Sequence, residues 1–319
     1  MASIRESPFY IIVNPASHAG KSRRTWSALS AALKERGLSY KACLSAEPGD
    51  VTVLARKIIK RSNATPENPA HIILLGGDGT LNELVNGISD FSRVIVSYIP
   101  TGSSNDFARA HRYSTDPAKE LARILSSRPT LLDVGETEFV DTDGISRKKR
   151  FLISSGMGFD AMVCDKVNHS RAKTLLNKIG LGQFVYLVIA LKCLFTGQYP
   201  DCTLTLEDGQ SFPLKNMMFS AAMMEPYEGG GFKFAPKALP DDGLLDVCTV
   251  NNLPRLFVLC ALPTALPGWH VFLPGIRLHR TQTVRIRANA PQYIHTDGET
   301  GYFTSDVTIR CLKGLLRYQ

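Results

Sequence analysis

The sequence contains no Cys-x-x-Cys pair. Its seven cysteines (Cys43, Cys164, Cys193, Cys202, Cys248, Cys260 and Cys311) are scattered and odd in number. That argues against a disulfide framework and a zinc site alike, and makes a reducing cytoplasm the expected compartment. The seven histidines carry no metal-ligand spacing either. No apolar run approaches the roughly 20 residues a membrane span requires. The most apolar stretch, Phe184 to Leu191, is bounded by Gln183 and Lys192. The N-terminus turns directly into a strand-like run and offers no signal-peptide h-region. Internal repeats and low-complexity tracts are absent.

What is present is ordinary globular composition, 44% hydrophobic and 21% charged, which sets aside disorder and coiled coil. A length of 319 residues suffices for two domains, each with its own core. The formal charge of +8, from 37 basic and 29 acidic residues, suits an anionic partner: nucleotide, acidic membrane or nucleic acid.

The first third alternates two patterns. Tyr10 to Val13, His71 to Leu75 and Val94 to Ile99 are short apolar runs, as buried strands are. Between them, Trp26 to Arg36, Val51 to Lys60 and Leu81 to Ile88 have helical spacing, with Leu81, Leu84, Val85 and Ile88 on one face. This predicts a parallel sheet with helices on its faces. After about Asp133 strand-like segments dominate: Phe151 to Ser154, Thr203 to Leu206, Met217 to Ala222, Leu244 to Val250, Val284 to Arg287 and Val307 to Cys311. Turn signals at Asp208-Gly209, Asp242-Gly243 and Asp297-Gly298 separate them, and a helical insertion over Lys173 to Phe195 interrupts them. The expected boundary gives residues 1–136 to an α/β domain and 137–319 to a β-rich one, with the last ~15 residues returning to the first as an open alternative.

Leu75-Gly76-Gly77-Asp78-Gly79-Thr80-Leu81 is the most informative segment. Glycines after a buried strand and before a helix let backbone N–H groups approach a ligand, and the helix N-terminus favours an anion. A carboxylate in such a place needs a cation or hydrogen bonds beside it, which suggests Mg²⁺ chemistry. A capped strand-to-helix turn fits the local pattern equally well. Pro100-Thr-Gly-Ser-Ser-Asn105-Asp106-Phe107 is a second loop of this kind. Both would lie at the carboxyl edge of the sheet, where α/β folds bind ligands. Gly20-Lys21-Ser22 imitates the end of a Walker A loop, but Pro15 occupies the position of its first glycine.

Asn14-Pro15, the two loops, Gly156-Met-Gly-Phe-Asp160-Ala, Gly229-Gly230-Gly231, Asp241-Asp242-Gly243-Leu244-Leu245-Asp246 and Asp297-Gly298-Glu299 follow one another over nearly the whole chain. In order and spacing they resemble the diacylglycerol kinase catalytic-domain superfamily, in particular its soluble bacterial lipid kinases. The resemblance implies an N-terminal Rossmann-like nucleotide domain of the NAD kinase and phosphofructokinase kind. It also implies a C-terminal antiparallel β-sandwich, with the active-site cleft between the two.

Carried over by resemblance, Asn14, Ser45, Gly76, Gly77, Asp78, Gly79, Thr80 and Ser103 contact ATP. Asp297 and Glu299 are the catalytic carboxylates. A structural Mg²⁺ is held by Asp242 and the carbonyls of Leu239 and Leu244, with Asp133 nearby through water. Two departures stand out. Ser103 replaces the usual threonine, and Met223-Met224-Glu225-Pro226 stands where the family commonly has an asparagine.

The expected activity is phosphorylation of a membrane lipid hydroxyl by ATP with Mg²⁺, diacylglycerol to phosphatidic acid first. The expected protein is cytoplasmic, touches the inner face of the membrane transiently, binds no nucleic acid and leaves a homodimer open. The alternatives are an NAD kinase, which shares the GGDGT loop, and a non-catalytic nucleotide or lipid sensor. Arg147 to Arg150 are read as a solvated hairpin tip, and Phe184 to Phe195 as a core helix.

Overall fold

Phe9–Val13 (β1), Ala70–Gly76 (β3) and Val94–Pro100 (β4) form strands with no polar alternation because helices cover both of their faces. The computed structural model describes residues 8–17, 21–170 and 182–319, leaving aside the side chains of 21 and 182–187. Residues 173–181 of the expected helical insertion, and Gly20 of the Walker-like segment, lie outside the described residues. Two units divide the chain: Met1–Leu132 with Gly314–Gln319, and Asp133–Lys313.

In the first unit the strands run parallel in the order β2 (Tyr40–Leu44), β1, β3, β4. Tyr318, near the chain's end, pairs with Val96 of β4. Helix α1 (Lys21–Glu35) turns Leu29 and Leu33 inward; α2 (Asp50–Arg61) buries Val51, Ala55, Ile58 and Ile59; α3 (Asp78–Gly87) buries Leu81, Leu84 and Val85. Each such leucine, isoleucine or valine fully removed from water contributes about 1.5–3 kcal/mol. Gly87 is the point of closest approach between helices, since a Cβ there would lie 2.6 Å from the Thr52 carbonyl oxygen. The short α4 (Asp106–Ala110) and α5 (Pro117–Ser126) complete the layer.

The second unit is an antiparallel sheet, ordered β12 (Ile276–Thr281), β11 (Leu245–Asn251), β10 (Met217–Met223), β7 (Ser154–Gly158), β13 (Thr283–Thr296) and β14 (Glu299–Tyr318). The last residues of β14 belong to the first unit. Strand β13 pairs with β14 along one edge, with a register break after Arg287, and with two strands along the other: Val284–Ala288 with β8 (Cys202–Leu206), and Ile294–Thr296 with β7. Its inward residues Val284, Ile286 and Ile294 join Val307 and Ile309 of β14 in one core. Strand β9 (Ser211–Leu214) completes a hairpin with β8.

Residues Arg147–Arg150 are not a hairpin tip. They lie within strand β6 (Ser146–Phe151), paired to β5 (Thr130–Val140), where Glu136 receives Lys148 at 3.1 Å and Asp141 receives Arg147 at 2.6 Å. Opposite charges facing across the strands hold this polar hairpin together. Helix α6 (Phe159–Asn168) follows β7, and α7 (Gly182–Thr196) buries Cys193 and Leu194 while Val188 and Phe195 are exposed. No helix among the described residues is long and apolar enough to cross a membrane.

Candidate functional site

In the first unit, the residues singled out from sequence gather at the carboxyl ends of the parallel strands. Gly76 ends β3 and Asp78 starts α3, so the chain reverses within two residues. There the Gly77 position would bring a Cβ within 3.1 Å of Gly102 Cα, and a Cβ on Gly102 would meet Gly77 Cα at 2.5 Å. The two loops therefore touch glycine to glycine, and no larger residue fits at Gly102. Asn105 clips the second loop, accepting the Gly102 N–H at 2.9 Å and donating to the Gly102 carbonyl at 2.9 Å; at φ 49° it takes a conformation asparagine tolerates. Asp78 accepts the Asp106 N–H at 2.9 Å, which joins the helix starts of α3 and α4.

Asn14 donates its amide to Thr80 Oγ1 at 3.0 Å, tying the end of β1 to the first turn of α3. The buried Ser45 follows β2 and donates its N–H to the Val13 carbonyl at 2.9 Å. Ser103 is exposed at the tip of the second loop. Beneath the loops, burial, then Asp78 and Asp106, push the Tyr98 phenol well above its ordinary pKa, so it remains a hydrogen-bond donor to the Gly76 carbonyl at 3.1 Å. Thr101, at the start of the second loop, places its hydroxyl 2.7 Å from Ser17 Oγ. A helix directs the N–H groups of its first turn past its own end. With α3 doing so beside a glycine loop, this edge is chemically suited to phosphate.

In the second unit Asp297 and Gly298 form a two-residue hairpin between β13 and β14, with φ of 48° and 80° at the two positions. The Asp-Gly pair is what such a primed turn prefers. The Asp297 carboxylate accepts three backbone N–H groups, from Leu152 at 3.0 Å, Ile153 at 2.9 Å and Ser154 at 3.0 Å. Leu152 and Ile153 consequently stand between β6 and β7, which splits the single strand expected over Phe151 to Ser154. Glu299, on the far side of the turn, is exposed.

His295 lies in the same hairpin and had no sequence signature. Its side chain is wholly buried, and Nε2 is 3.0 Å from Asp160 and 3.2 Å from Glu228. Burial pushes its pKa down, but Glu228 and Asp160 outweigh this and hold it well above the ordinary value. This raised pKa stabilises the fold fully below the unfolded value of about 6.5, and the contribution is lost as pH rises through the folded pKa. Gly156 faces the ring across β7, where a Cβ would lie 2.5 Å from Nε2. His295 thus ties together the segments of Asp160, Glu228 and the DGE turn. Among the described residues these three are the one group of His, Cys, Asp and Glu side chains close enough to hold a metal ion.

The DDGLLD loop is held by its own Asp242 and by Asp133 of β5. Asp133 accepts the Gly243 N–H at 2.5 Å, Asp242 accepts the Leu244 N–H at 2.9 Å, and the other Asp242 oxygen meets Arg280. Burial, then Arg280 in opposition and Asp242 in support, leave the Asp246 carboxyl with a raised pKa. Carboxylates and carbonyls are the donor set of a hard cation. Arg280 already supplies one positive charge there.

Residues 8–137 match the sequence family described as the diacylglycerol kinase catalytic domain, and residues 153–317 match the YegS C-terminal NAD kinase beta sandwich-like domain. The chain is 27% identical over 297 residues to the "Putative lipid kinase YtlR" of Bacillus subtilis, covering 92% of this chain and 93% of that one. It is 27% identical over 295 residues to the "Diacylglycerol kinase" of Staphylococcus carnosus, covering 91% and 88%. In fold it is similar to a "putative diacylglycerol kinase" crystal structure from Bacillus anthracis, with a TM-score of 0.75, 22% identity and coverage of 99% and 96%.

Proposed function

The chain belongs to the family that joins a diacylglycerol kinase catalytic domain to a YegS C-terminal NAD kinase beta sandwich-like domain. From that membership we propose an ATP-dependent kinase that phosphorylates a lipid hydroxyl, with diacylglycerol the first acceptor. The observation that carries the nucleotide half is the glycine-to-glycine contact of Gly77 and Gly102 at the start of α3. A phosphate chain can approach backbone closely only where side chains are missing. In this reading Gly76 to Thr80, Asn14, Ser45 and Ser103 bind ATP. Asp78 lies among them, where a bound Mg²⁺ would offset the charge of the phosphates.

Glu299 is proposed as the base that takes the proton of the acceptor hydroxyl as its oxygen attacks the γ-phosphorus and ADP departs. Asp297 holds the turn on which Glu299 stands, because its carboxylate is committed to three N–H groups. The protein works in the cytoplasm and meets its substrate at the inner membrane face.

The test is incubation with γ-labelled ATP, Mg²⁺ and vesicles containing a panel of lipid alcohols, with NAD alongside. Label should enter the diacylglycerol fraction. Label in NADP with none in lipid would replace this reading by that of an NAD kinase.

The structural Mg²⁺ is proposed at Asp242 with the carbonyls of Leu239 and Leu244. Added magnesium should raise the wild-type Tm, and Asp242→Ala should remove that increment. An equal increment in the variant would leave Asp242 as a turn residue paired to Arg280.

A further inference from the structure

The segment after β11 places its large apolar residues outward. It comprises α8 (Arg255–Ala261), a 3₁₀ turn at Leu262–Ala265 and another at Trp269–Phe272. Leu256, Leu266, Trp269 and Phe272 are exposed by 68%, 50%, 66% and 83%. The small and polar residues between them point inward. Ala265 and His270 are each 2% exposed, and His270 Nε2 lies 3.3 Å from the Phe234 carbonyl. Trp269 and Phe272 are three residues apart within one 3₁₀ turn, so inward anchoring of His270 leaves the two projecting together, with the exposed Leu266 just before that turn. A tryptophan and a phenylalanine exposed side by side mark an interaction surface.

Charge decides what that surface meets. From Val247 to Thr296 the sequence contains no aspartate or glutamate. Lys233 donates its N–H to the Ala265 carbonyl at 2.8 Å, and a Cβ on Gly268, next to Trp269, would touch Pro236 and Lys233. The loop of Lys233 and the exposed Lys237 therefore lies beside the apolar row. Apolar side chains with lysines at their margin match an interface whose depth is hydrocarbon and whose surface is anionic. In a symmetric pairing with a second copy, the same lysines would face themselves.

We propose that Leu256, Leu266, Trp269 and Phe272 dock this protein on an anionic lipid leaflet, with Lys233 and Lys237 against its head groups. The assignment rests on the lipid-kinase reading and specifies the membrane-contacting face.

Flotation with vesicles of phosphatidylcholine and phosphatidylglycerol tests it. The double variant Trp269→Ala, Phe272→Ala should bind about tenfold more weakly or worse, with unchanged Tm. In a Trp26→Phe background, which leaves Trp269 as the sole tryptophan, emission should shift to the blue on vesicle addition and be quenched by brominated acyl chains. Unchanged flotation of the double variant, or an unquenched Trp269, would overturn the proposal. So would a dimer that the double variant converts to monomer at unchanged flotation, which would assign the row to a second copy. A short-chain diacylglycerol dispersed without vesicles should be phosphorylated equally by both proteins; a loss confined to the variant would instead place the row in the acceptor site. If neither protein turns over any diacylglycerol while flotation still falls in the variant, the docking surface is supported and the substrate reading alone is lost.

Discussion

Glu299→Gln should lower kcat by about 10²–10⁴-fold, the range for loss of a general base, while the KM for ATP changes by less than about threefold. Its Tm should stay within about 2 °C of wild type, since Glu299 is exposed and substitutions at such positions are usually worth under ~0.5 kcal/mol. Asp297→Ala should behave differently. It removes one acceptor from three backbone N–H groups, and each buried donor left unpaired costs about 1–3 kcal/mol. A loss of roughly 3 kcal/mol or more, on the order of 6–12 °C in Tm, is expected together with falling activity. Measured kcat and melting curves for the two variants separate the roles. A Glu299→Gln enzyme within about threefold of wild-type kcat would leave the hairpin without its base.

Gly102→Ala should have the second large effect, and for a steric reason. The added Cβ would lie 2.5 Å from Gly77 Cα and 2.7 Å from Asn105 Oδ1, and neither is the free end of a flexible side chain. Backbone must move, at about 1–3 kcal/mol. The cost falls on the pairing of the two loops and thus on the N-terminus of α3. We expect at least about tenfold weaker Mg·ATP binding by calorimetry, roughly 1.4 kcal/mol, with the second unit's melting unaffected. Wild-type affinity in this variant would show that the loops do not need their close contact to hold nucleotide.

Much of this fold is legible in the sequence. The buried strands of the first unit announce themselves because a parallel sheet covered on both faces needs no polar alternation, and β3 ends in glycine where its apolar run ends. The α/β and β-sandwich architecture follows the sequence pattern and the family resemblance, and the structural similarity supports it. Strand β6 is hidden because Arg147 to Arg150 look like a solvated run; pairing to β5, with Glu136 and the neighbouring Asp141 facing Lys148 and Arg147, makes them a strand. Helix α5 was overlooked although its start is marked, with Asp116 accepting the Ala118 N–H at 2.9 Å and Pro117 in the first turn. His295 had no local signal at all. Its role arises from Asp160 and Glu228, 135 and 67 residues away in sequence, and tertiary pairing alone brings such groups together.

The central claim is transfer of phosphate from ATP to a lipid hydroxyl, and product stoichiometry tests it most directly. Purified protein, Mg·ATP and vesicles containing a defined diacylglycerol should yield ADP and phosphatidic acid in equal amounts, measured by chromatography and mass spectrometry of the lipid extract. ADP formed with inorganic phosphate and no phosphorylated lipid, across the panel of lipid alcohols, would contradict it.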